Sequence, residues 1–564
     1  MTVSSATSGT SSATSSSSVS TSGTSTSTSI DWSALITAAV NAKLTQATSI
    51  STSITANQAK IAAYQALQTD LSTLASGLTS LSSSIINSLA TNAFATRAAT
   101  ITSTGDVSAS SALSMTINNG AATGDHTLQI SQLATAQKVI GSSQSSQSTA
   151  LGYSGTFSLG LAGGSSASIT VTSTMTLQDV VDAINAQSST TNVEASIVQV
   201  SSGSYEMVLT GTQDAANITY SSTSGDDILS KLGVTDSSGS FADVLQAAQS
   251  AAFTLDGISM TRNSNDISDV LNGVTFNLLQ ATPSGTTINV SIGTDTSQIT
   301  TALQTFVTNY NAYRDAVIAQ QATNSDGTAS SSAVLFGDGT MRDITNQLEA
   351  ALNSTVGGLT MSDLGLSFNS KNELQLDTGT LSSILTSNLS GVTKLLSAQT
   401  TTASSQLTVV NTGPSSPSSF TLDLTVDASG TLTGASVGGD SSLFTISGTT
   451  IIGNAGTAYA GMAFTYTGST SQSIAVTSTS GIAAQLYQIA HTYSATTGSL
   501  QTLISDLQSR DDTMQQKVDD IDSAAAAYQG QLQSQYAKYQ AAIQSADNTL
   551  NYLKALLNSG SSNG

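Results

Sequence analysis

Residues 67–85 read LQTDLSTLASGLTSLSSSI, and Leu67, Leu71, Leu74, Leu78, Leu81 and Ile85 recur in them at alternating steps of four and three. That spacing is a heptad seam, two apolar positions in every seven, and it predicts a helix that buries one narrow stripe against another helix. Ile50, Ile54, Ile61 and Tyr64 carry the stripe towards the N-terminus with one slip in phase, and Asp31 stands where a cap belongs. The predicted helix therefore spans about 31–89. Serine and threonine are frequent along it and lower its intrinsic propensity. Burying a Leu contributes roughly 1.5–3 kcal/mol, whereas ordering each residue costs about 1–2 kcal/mol, so a seam this narrow needs a partner.

A comparable pattern lies at the far end of the chain. Ile504, Leu507, Met514, Val518, Ile521, Ala525, Tyr528 and Leu532 keep the same alternation, with Asp511 on the stripe where it loosens pairing locally. Tyr539, Ala546, Leu550, Leu553 and Leu557 continue it. The two ends are expected to pair within one chain as a coiled-coil stalk. Their outermost parts, 30–44 and 550–557, are expected to stay mobile until other subunits cover them.

Between the ends the period changes to two. ALSMTIN, HTLQISQLA, GTFSLGL, ASITVTS, EASIVQV and YEMVLTG alternate apolar and polar residues between breaks, which predicts antiparallel strands. One helix interrupts them, TLQDVVDAINAQ, with Leu177, Val180, Val181 and Ile184 inward. AAFTLDGISMTR, GVTFNLLQ and TTINVSIG form a second strand group. Helical spacing returns with Ile299, Leu303, Phe306, Val307, Tyr310 and Tyr313, then with Ile344, Leu348, Ala351 and Leu352, before a hairpin in LGLSFNSKNELQLD. SFTLDLTVD, LFTISGTTIIG, AFTYTG and QSIAVTST read as strands again. The fold class is α+β, a terminal helical stalk with inserted antiparallel β domains. Its expected divisions are a disordered Ser/Thr-rich 1–29, a helical 30–95, a β-rich head over 96–295 split near 136–249, and a mixed leg over 296–399. An additional inserted β domain over 400–480 and coiled-coil helices with a disordered tail over 481–564 complete it.

Composition excludes several function classes. A formal net charge of −21 with only 14 Lys and Arg argues against nucleic acid, which needs clustered cations. The chain has no cysteine, so disulfides, thiolate metal sites and thiol catalysis are ruled out together. No apolar run approaches the roughly 20 residues that span a bilayer. Residues 1–29 lack the basic and apolar regions of a cleavable secretory signal, so export is expected by another route. The two histidines, His126 and His491, have no companions at metal or triad spacing. NSDGT around Asp326 reads as a solvated turn, and the glycines of LAGGSSAS and VGGDSS as turns between strands. Neither enzyme activity nor a cofactor is expected. Trp32, the single tryptophan, is expected to pack on its own first helical turn or to anchor onto a neighbouring subunit.

Several stretches together resemble one family. IDWSALITAAVNAKLTQATSI leading into the heptads, GDHTLQISQLATAQKV, TLQDVVDAINAQSSTTNVEASIVQV, FTLDGISMTRNSNDISDVLNGVTFNLLQ, TALQTFVTNYNAYRDAV, LFGDGTMRDI and MSDLGLSFNSKNELQLD follow the order of the FliD family, the hook-associated proteins that cap the flagellar filament. The Ser/Thr-rich start is longer than the family's, and the 400–480 segment is extra. The resemblance implies a cap at the distal tip of the bacterial flagellum, secreted by the flagellar type III route, which promotes folding and polymerisation of exported flagellin. It implies flagellin, other hook-associated proteins and an export chaperone as partners, and a homo-oligomeric ring, a pentamer or another number, with no membrane partner. A tip adhesin for mucin or host glycans and a flagellin-like filament subunit are the alternatives.

Overall fold

The computed structural model describes residues 31–82, 91–412 and 417–560, apart from the side chains of 558–560. The expectations for 1–29, for Ile85 and for the tail beyond 560 lie outside these residues.

The N-terminal helix spans Trp32–Leu78, starting where Asp31 Oδ1 accepts the Ala34 N–H at 3.0 Å. Its many hydroxyls are satisfied inside the helix itself. Thr37, Thr45, Thr48, Ser51, Thr52 and Thr55 each donate to the carbonyl four residues back, so they take their hydrogen bonds from their own helix. The helix ends at Leu78, short of the expected 89, and Thr79–Ser82 turn. Gly77, Thr79 and Ser80 are poor helix formers, and the Ser80 carbonyl accepts from Ala93 instead.

The chain divides into two compact units. One joins the described residues up to Tyr64 with those from Thr502 onward, and the other is Gln65–Gln501.

The larger unit carries the sheets. Its five-stranded antiparallel sheet has the spatial order Arg97–Ser103, Ile288–Thr294, Gly124–Gln132, Ala251–Leu255, Ile258–Arg262. Leu128, Ile130, Phe253 and Val290 from this sheet share a core with Phe276 of a three-stranded sheet. Gly124–Gln132 and Ala251–Leu255 are hydrogen-bonded neighbours, so everything between them leaves the sheet and returns to it. That excursion holds its own core, Phe157, Leu159, Val180, Ile184, Leu209 and Leu229, beneath a helix at Leu177–Asn185. Thr176 and Asp179 cap that helix reciprocally, and the backbone N–H of Thr176 holds the Asp179 carboxyl below the usual carboxylate range.

A second excursion begins after the helices Thr378–Ser387 and Leu389–Leu396. Gln399–Thr402 pairs antiparallel with Gln472–Thr479, which closes its neck, and two four-stranded sheets enclose Leu422, Ile451, Phe464, Tyr466 and Val476. The Gly481 N–H donates to Ser397 O across the neck, and the helix Ile482–Ser494 starts there. The helices expected over 481–564 begin with it: Ala495–Gly498 separates it from the C-terminal helix, Ser499–Gly560, because Thr496, Thr497 and Gly498 together favour the helix least. The strands Arg97–Ser103, Ile218–Gly225 and Leu407–Asn411 were not anticipated.

Candidate functional site

Among the described residues there is no group of three or more His, Asp or Glu placed to hold a metal ion, and no helix long and apolar enough to cross a membrane. His126 Nδ1 lies 2.8 Å from Asp256 Oδ2, and the Thr127 N–H donates to Asp256 Oδ1, which makes a small, partly exposed pair between the central strand of the five-stranded sheet and the turn that follows Ala251–Leu255. His491 stacks on Tyr487. Burial pushes the phenols of Tyr310 and Tyr313 up to about 12, so both stay protonated at neutral pH. Asp326 accepts from the N–H and hydroxyl of Thr328 in a turn. None of these groups converges on a common point where a reacting atom would sit.

The candidate site is therefore the apolar stripe of the terminal helices. In the larger unit Leu67, Leu71, Leu74, Leu78 and Leu81 are all buried, none above 1% exposed. Gln68, half-buried between them, donates from Nε2 to Ser494 O and to Gln501 Oε1.

In the smaller unit the two helices run antiparallel and touch from Trp32 and Tyr536 to Asn57 and Asp511. The Trp32 ring lies 4.7 Å from Tyr536, Lys43 Nζ sits 4.6 Å above the Tyr528 ring, and Asn57 Nδ2 donates to Asp511 Oδ1 at 2.8 Å. Ala47, Ile54 and Val518 form a cluster flanked by Ile50, Met514 and Ile521. Trp32 thus packs on neither its own first turn nor, in this chain, an open surface: it meets the other terminal helix. Ile504 is buried like Val518, while Leu507, Met514, Ile521, Tyr528 and Leu532 are half-buried. Asn57 and Tyr536 were missed as stripe residues although their spacing from Ile54 and Leu532 gave them away. A polar side chain and a second aromatic do not count in an apolar tally.

Beyond Tyr536 the burial stops. Every residue from 537 to 557 is exposed, including Tyr539 at 57%, Leu550 at 50%, Leu553 at 52% and Leu557 at 74%. From Tyr536 to Gly560 the helix runs roughly 35 Å with its apolar stripe open. Lys538, Asp547 and Lys554 are its only charges, so contact there would be apolar, shallow and weakly steered.

Comparison with known sequences and structures adds three findings. The profile described as flagellar hook-associated protein 2 C-terminus matches residues 248–548, its N-terminus counterpart matches 28–137, and a flagellin hook IN motif matches 156–213. The flagellar hook-associated protein 2 of Escherichia coli K12 is 29% identical over 351 residues, 58% of this chain and 74% of that one. The B-type flagellar hook-associated protein 2 of Pseudomonas aeruginosa is 24% identical, over 51% of this chain and 64% of its own. The crystal structure of the flagellar cap protein FliD D1-D2-D3 domains from Escherichia coli superposes with a TM-score of 0.44 at 28% identity, covering 59% of this chain and 90% of that one.

Proposed function

This chain belongs to the flagellar hook-associated protein 2 family and is a filament cap protein of the flagellar distal tip, and we propose that its terminal helices pair as a coiled-coil stalk whose open end holds the growing filament. It oligomerises and acts there with flagellin. In this reading the sheet-built part, 96–295 with the insertion at 400–480, forms the lid, and flagellin emerging beneath it folds in a confined space before joining the filament. No bond is made or broken. The carrying observation is the stripe from Tyr539 to Leu557, apolar at heptad spacing and exposed, at the end of a helix whose stripe is buried or half-buried from Ile504 to Leu532. A cap that advances with each added subunit needs contacts that release, and exposed Ala, Gln and isolated Leu supply such contacts better than charged clusters would. A ring of five subunits and delivery by an export chaperone fit the same scheme.

Gold-labelled antibody against the 400–480 insertion tests the location. A single cluster at the free end of each filament is expected. Label along the filament length would support a filament subunit instead and overturn the cap.

A further inference from the structure

Asp511 lies on the apolar stripe of the C-terminal helix between Leu507 and Met514, and Asn57 lies on that of the N-terminal helix between Ile54 and Ile61. Asn57 Nδ2 donates to Asp511 Oδ1 at 2.8 Å. Asp511 is 9% exposed, and its other oxygen, Oδ2, is buried with no hydrogen-bond partner. A half-satisfied carboxylate is a poor choice for stability, because an apolar pair of similar volume fills such a place at lower cost.

Its value lies in the alternatives it removes. A heptad stripe repeats, so sliding one helix by seven residues again sets apolar residues against apolar ones, and the stripe alone does not select a register. A slip of seven carries Asp511 to Ile50 or Tyr64, and Asn57 to Ile504 or Val518. In either slipped register both polar groups lose their partner inside the contact. The observed register pairs them.

We propose that Asn57 and Asp511 are the register lock of the terminal helix pair, fixing how far the C-terminal helix projects and hence which stripe residues are left open for assembly. This rests on the pairing proposed above and adds the residues that choose among pairings.

The absence of cysteine makes the register directly measurable in the full chain. Ile54→Cys with Val518→Cys reports the observed register, and Ile61→Cys with Val518→Cys reports a slip of one heptad. A short bis-maleimide, which adds one thiol at each end and spans less than one heptad's rise, about 10 Å, separates the two. In the otherwise native chain the first pair is expected to crosslink at least about tenfold more than the second, a 1.4 kcal/mol preference. With Asn57→Leu and Asp511→Leu added, the yield of the second pair relative to the first is expected to rise several-fold at unchanged helicity by circular dichroism, the Gln68–Gln501 contact keeping a residual preference. The exchange Asn57→Asp with Asp511→Asn restores the contact and is expected to restore the preference. An apolar double variant that still crosslinks only in the observed register overturns the lock while leaving the pairing intact. Absence of crosslinks from both pairs in the native background overturns the pairing, and the lock with it.

Discussion

At Gly481 the chain closes the neck of the 400–480 insertion, and a Cβ there would stand 2.4 Å from the carbonyl carbon of Leu396. The obstacle is backbone, so it cannot rotate away, and the φ of −69° shows that the constraint is steric and not conformational. Gly481→Ala is expected to destabilise by about 1–3 kcal/mol, seen as a lowered denaturant midpoint; a midpoint equal to that of the unaltered chain would contradict the close contact. Asp256 gives a pH-dependent case. The hydrogen bond to His126, and next the Thr127 N–H, hold its carboxyl below the usual range. A depressed carboxylate adds stability that is complete above its unfolded value, near pH 4, and is lost as pH falls through the folded value. Because the pair is partly exposed the contribution is well under about 1 kcal/mol. Asp256→Asn is expected to lower the melting temperature slightly at pH 7 and to flatten the acid limb below about pH 4, so that variant and unaltered chain converge at low pH. A steeper acid limb in the variant would reverse the assignment.

The terminal helices differ in what their stripes do. Leu71 is fully buried, and Leu71→Ala is expected to cost about 2–5 kcal/mol. Leu550, Leu553 and Leu557 are half or more exposed, so changing all three to Ala is expected to leave circular dichroism and melting unaltered while abolishing motility. Normal swarming by the triple variant would detach the open stripe from assembly. These stripes were legible in the sequence because helical period is a local signal that survives heavy Ser and Thr content. Strand alternation was equally legible in GTFSLGL and YEMVLTG. It failed for RAATITS, the strand Arg97–Ser103, where Ala and Thr stand in for strong apolar residues and Arg97 spends its guanidinium on the carbonyls of Ala121, Phe94 and Thr96. The Asn57–Asp511 contact could not be read from either helix alone, since it joins residues 454 apart.

On the scale of the molecule the fold is a set of excursions that leave a structure and return to it. Thr402 and Val476 are paired in antiparallel register, so replacing 403–475 by Asn-Gly makes a two-residue hairpin between them. The shortened chain is expected to keep the melting transition of the remaining elements. Its loss would show the insertion to be part of their core. What the whole chain does depends on filament growth requiring it at the tip. Deleting the gene in the bacterium that makes it, and measuring how flagellin divides between filaments and medium, tests that requirement most directly. Hooks without filaments and flagellin released as monomer are the expected result, reversed by the unaltered chain. Full-length filaments in its absence, with flagellin retained, would contradict the cap.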